Sequence, residues 1–125
     1  MINKAMAIYF YDERIRLCNE MMACLDYPKY IHILIDENNK HLFIKPAETR
    51  DNDTFRIVYS QFGTERRYRI SSKWFVKRLA ALIGVKFPSN SLWFEGYYLE
   101  KNKSVFIDLK NFHITEYISE SDSSF

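Results

Sequence analysis

Apolar and polar residues alternate along most of this chain with a period of two, so the pattern predicts strands first. In residues 7–17, Ile8, Phe10, Ile15 and Leu17 alternate with Tyr9, Tyr11, Arg14 and Arg16, and Asp12-Glu13 marks a turn or bulge. Asn19 is a candidate cap for a short helix over 20–25, which Asp26-Tyr27-Pro28 should end, because a residue before proline is steered from helical angles. Tyr30–Ile35 and His41–Pro46 flank the polar stretch Asp36-Glu37-Asn38-Asn39-Lys40 and predict a hairpin. The mixed-charge run 47–54 reads as an exposed loop. Further strands are expected over 55–59 and 66–70, around a turn at Gln61-Phe62-Gly63-Thr64. The period then changes. Phe75, Leu79, Leu82 and Ile83 lie on one side of a helix over 73–83, which Ser71 or Ser72 can cap and Gly84 can end. Residues 85–94 read as mostly loop, and strands over 93–99 and 104–109 enclose a turn at 100–103.

Two halves of this pattern look alike. Arg14-Ile15 and Arg69-Ile70 open strand-helix-hairpin units 55 residues apart, while the hairpin turns place Lys40 and Lys103 63 apart. The eight extra residues of the second unit are expected between Ile83 and Leu92. The reading is one domain over 1–115, built of related units 7–46 and 56–109, followed by an acidic, Ser-rich tail over 116–125. Its fold class is α+β, a small β-dominated barrel of two repeats.

That order of strand, Arg-Ile, short helix and hairpin resembles the AbrB-like and MraZ-like swapped-hairpin barrel family of bacterial DNA-binding proteins. The resemblance rests on Asp12-Glu13-Arg14-Ile15-Arg16-Leu17, the helix 19–25, the hairpin 30–46 and a second copy over 66–109. It implies two interlocked units closing one barrel, with basic residues of the opening strands on DNA, here Arg14, Arg16, Arg66, Arg67 and Arg69. The chain departs from the family pattern at Glu13, where a glycine is usual before the Arg, and at Cys18, where a small residue or proline is usual.

Composition narrows the remaining classes. Hydrophobic residues are 47% and aromatics 17% of 125 residues, enough to offset the ordering entropy that a disordered chain cannot. The chain should fold alone or as a small oligomer, and a homodimer fits its size. The large rings are read as core fillers, one of each adjacent pair pointing inward. No run of eighteen apolar residues offers a membrane span, and the first residues lack the apolar stretch of an export signal. Together with only two cysteines, Cys18 and Cys24, this leads to an expected cytoplasmic protein without membrane association.

The charge is uneven. Overall it is +2, yet residues 65–88 hold Arg66, Arg67, Arg69, Lys73, Lys77, Arg78 and Lys86 against Glu65 alone. Lys73 and Lys77 repel modestly at helical spacing, and an anionic partner would relieve that repulsion. Arg14 and Arg16, together with Arg66, Arg67, Arg69, Lys73, Lys77 and Arg78, are the candidate nucleic-acid contacts. His32, His41 and His113 share no metal-ligand spacing with a carboxylate or cysteine, although His32 and His41 would come fairly close if their strands paired. Three glycines cannot make a phosphate loop, and nothing marks a base or orienting group for Cys18. No enzyme, cofactor or metal is expected. The favoured function is a small DNA-binding transcriptional regulator. The alternative is a protein-binding inhibitor from a phage or other mobile element, acting on a nucleic-acid-processing enzyme as an anti-CRISPR protein does.

Overall fold

The computed structural model describes residues 6–11, 14–84 and 90–116. In chain order the elements are β1 (Met6–Tyr11), β2 (Arg14–Leu17), α1 (Asn19–Cys24), β3 (Tyr30–Asp36), β4 (His41–Ala47) and β5 (Thr54–Arg56). They continue with β6 (Val58–Phe62), β7 (Glu65–Ser71), α2 (Lys73–Ile83), β8 (Asn90–Leu99), β9 (Ser104–Asp108) and β10 (His113–Glu116). The fold is β-rich α+β. Strands pair antiparallel in the order β5-β3-β4-β9-β8-β1-β2-β7-β6, with β10 beside the first part of β8. No ladder joins the two ends of this order among the described residues. They are consecutive in sequence instead: only Ile57 separates β5 from β6.

Hairpin, helix, hairpin occurs twice, as β1-β2, α1, β3-β4 and as β6-β7, α2, β8-β9. The halves meet at three ladders, β1-β8, β2-β7 and β4-β9. In β2-β7 Ile15 stands opposite Ile70, and in β4-β9 Phe43 stands opposite Phe106. The last two therefore centre on residues at the same place in the two sequence units. Each hairpin turn also reaches the other half's helix. Glu37 pairs with Arg78 of α2, and Lys103 Nζ lies 2.9 Å from Asp26 just after α1. Such exposed ion pairs contribute little, so they mark position more than they stabilise.

The core lies between these ladders. β2 turns Ile15 and Leu17 inward, β7 Tyr68 and Ile70, β4 Leu42 and Ile44, and β9 Val105 and Ile107. Helices α1 and α2 add Met21, Met22, Phe75, Val76 and Leu79. Adjacent aromatics divide as strand alternation requires: Phe94 is wholly buried, whereas Trp93 is half-buried and stacks on His113 with ring centroids 4.0 Å apart. Tyr97 and Tyr98 are both half-buried.

Helix α2 is bounded as expected. Ser72 Oγ accepts from the Phe75 N–H, and Gly84 takes the left-handed conformation at φ 87°, which a residue without Cβ adopts readily. The first helix differs. Its cap is Cys18, which makes no side-chain cap bond, while Asn19 Oδ1 accepts from the hydroxyls of Tyr27 and Tyr68. Asp26 and Tyr27, both at positive φ, end α1 by donating to the Ala23 and Met22 carbonyls. Residues 90–94 are strand rather than loop, because β1 and β10 both pair with that part of β8. The longer second unit is explained in part by the helices, six residues in α1 against eleven in α2. Glu116 ends β10, and the rest of the expected tail lies outside the described residues, as does the Asp12-Glu13 turn.

Ile15→Ala and Ile70→Ala should each lower stability by about 2–5 kcal/mol in urea unfolding. Their double-mutant cycle should show a coupling of about 0.5 kcal/mol or more, since the side chains meet across the ladder joining the halves.

Candidate functional site

Strand alternation decides which basic residues assemble. Because Ile15, Leu17, Tyr68 and Ile70 point inward, Arg14 and Arg16 of β2 and Arg67 and Arg69 of β7 stand on the opposite, outer face. Arg16 is directly opposite Arg69, a like-charged cross-strand pair of the destabilising kind. Tyr9 and Tyr11 occupy the register positions beside Arg16 and Arg14 on β1.

Among the described residues one acid, Glu65, sits with these arginines. Its carboxylate accepts from Arg67 Nη2 at 3.1 Å and from Arg16 Nη2 at 2.6 Å. The Arg67 hydrogen bond, then that from Arg16, holds the carboxyl below the usual glutamate range. Arg14 and Arg69 make no ion pair among the described residues. Arg66, on the other parity of β7, is exposed and interacts with the Tyr68 hydroxyl. Tyr68 itself is held above the ordinary phenol value, chiefly by burial.

The helix residues do not join this face. Lys73 and Lys77 are exposed on α2, and Arg78 turns to Glu37 on the other hairpin. Of the eight expected contacts, the structure thus brings together Arg14, Arg16, Arg67 and Arg69, with Arg66 at their margin.

The histidines stand apart. His32 is opposite Lys45 and His41 opposite Asp36, at different ends of the β3-β4 hairpin, so the expected approach of His32 to His41 does not occur. His41 meets the Phe106 ring edge-on at 4.9 Å. Among the described residues no three His, Cys, Asp or Glu side chains gather as a metal site. Burial pushes the Cys18 thiol up, away from the thiolate that a nucleophile needs. No helix among the described residues is long and apolar enough to cross a membrane.

A second feature is a cleft of about 780 Å³ bordered by Leu34 of β3, Phe55 and Arg56 of β5, Val58, Ser71 and Trp74. Trp74 is 60% exposed and Leu34 51%, unusually open for such large apolar side chains. Trp74 carries the clearest missed signal. Phe75, Val76, Leu79 and Ala80 set the buried side of α2, and Trp74 falls on the side away from the middle of that set. No protein-family model matches the chain, and searches of curated proteins and of solved structures found no match either.

The Glu65 carboxyl should titrate below the ordinary glutamate value in carbonyl-detected NMR, and Arg67→Gln should raise it. Because the folded-state value is depressed, the stabilisation from this cluster is present above the unfolded-state value and is lost as pH falls through the folded one.

Proposed function

We propose that this chain is a small, non-enzymatic DNA-binding regulator that meets DNA with the outer face of the β2-β7 ribbon. The observation that carries this reading is the gathering of Arg14, Arg16, Arg67 and Arg69 on one face of two adjacent strands, where Glu65 pairs with Arg16 and Arg67. Guanidinium forks suit phosphate oxygens and guanine edges, and a two-stranded ribbon fits the major groove. Arg14 and Arg69 would contact phosphate or base directly. Arg16 and Arg67, oriented by Glu65, would follow as the polyanion competes for them. Lys73 and Lys77 would supply charge without reading sequence. A phosphate backbone would also relieve the repulsion between Arg16 and Arg69, giving the face a lower energy with its partner than without it.

The architecture supports this reading at a coarser level. On our reading the two hairpin-helix-hairpin halves are copies of one unit, closed into a barrel through the continuous segment β5-Ile57-β6. The matched registers at Ile15/Ile70 and Phe43/Phe106 support the duplication. The barrel presents the arginine ribbon at the join between the copies.

Electrophoretic retardation of a random 30-base-pair duplex tests the reading. Binding should weaken linearly in log K against log salt, and Arg14→Ala or Arg69→Ala should each reduce that slope by about 0.9. Glu65→Gln should tighten binding and steepen the slope. No retardation at low salt would contradict the proposal and favour a protein target instead.

A further inference from the structure

We propose that the cleft between β5 and β7 is a docking slot for an extended peptide strand of another protein, in which apolar residues alternate with acidic ones. This site shares β7 with the arginine ribbon but is lined by none of the ribbon's arginines, and it does not depend on the ribbon's binding DNA.

The inference starts from a difference between the halves. In the first half, Ile8, Tyr9 and Phe10 of β1 each pair with β2 on one side and β8 on the other. In the second half, the strand in the same position is broken at Ile57. Among the described residues β5 pairs only with β3, β6 pairs only with β7, and none pairs with both. The β6-β7 ladder stops at Val58 opposite Arg69, leaving Ile70 and Ser71 paired on the β2 side alone.

Main-chain direction then identifies the open groups. The Ile57 N–H donates to the Lys29 carbonyl at 2.9 Å, on the β3 side. Antiparallel alternation therefore turns the N–H and C=O of Arg56 the other way, into the cleft. Phe62 and Glu65 close a two-residue turn, so Glu65, Arg67 and Arg69 direct their main-chain groups toward β6. Ser71, two residues further along β7, directs its groups to the same side, where no strand lies opposite among the described residues. An exposed pair of strand edges is a template for an added strand.

The side chains select its chemistry. Trp74 packs near Phe55, with ring centroids 6.5 Å apart, and with Leu34 and Val58 it offers an open apolar wall. Arg56 is exposed and forms no ion pair among the described residues, whereas Arg78 is already held by Glu37. An incoming strand would therefore place an apolar side chain against Trp74 and Leu34 and a carboxylate against Arg56.

The test is to pan a phage-displayed library of random nonapeptides against the full-length protein, then to synthesise the enriched sequences. We expect enrichment of alternating apolar and acidic sequences that slow amide exchange of Arg56 and Ser71 at least tenfold. Trp74→Ala and Leu34→Asp should each weaken the peptide at least tenfold without moving the thermal midpoint, since both side chains are exposed. Retardation of duplex DNA should be unchanged by either substitution. No enrichment, or enrichment of peptides that neither substitution weakens, would overturn the proposal. So would a wild-type dimer that Trp74→Ala dissociates, which would put a second copy in the slot. Faster exchange of the Arg56 and Ser71 amides after deletion of residues 117–125 would place the chain's own end there and overturn it as well.

Discussion

The structure depends on strand pairing between its two halves. Each ladder hydrogen bond contributes only about 0.5–1.5 kcal/mol net, whereas fully burying an isoleucine or leucine contributes about 1.5–3 kcal/mol. The apolar residues behind the ladders therefore decide the outcome. They come from both halves: Ile15 and Leu17 share the core with Tyr68 and Ile70, and Leu42 and Ile44 with Val105 and Ile107. β1 adds to this interleaving by lying against β8 of the other half. Neither half has a complete set of neighbours for its own strands.

The electrostatics follow from the same constraint. With Ile15 facing Ile70 inside, Arg16 must face Arg69 outside, since a strand offers only two faces. The repulsion accompanies a favourable core contact, and Glu65 offsets part of it by joining Arg16 to Arg67 across the two strands. The second half departs from the first where β5 and β6 part at Ile57. There the sheet gives up ladder bonds, and the exposed Trp74, Leu34 and Val58 border the opening.

Much of the fold was legible in the sequence because the relevant signals are local. The hairpin around Asp36 is one case: Asp36 accepts from both the main-chain and side-chain nitrogens of Asn39, the turn chemistry that the polar run implied. Helix α2 is another, with its Ser72 cap and Gly84 stop. Lys40 and Lys103, matched in the sequence repeat, both adopt positive φ in their turns. What escaped the sequence was long-range. β10 and the start of β8 are strands because of what pairs with them, and Asn19 serves two tyrosines, one of them 49 residues away, instead of capping a helix. Arg78 reads as part of a basic run until Glu37 meets it across 41 residues. The arginine face was legible as a set of residues; its division between Glu65-bound and open arginines was not.

Cutting the chain once, within the exposed loop at Arg50-Asp51, and following the two pieces by sedimentation and urea unfolding tests the interlocking most directly. The account predicts that the fragments stay together at the mass of the intact chain and unfold in one transition. Fragments that separate while each remains folded would contradict it.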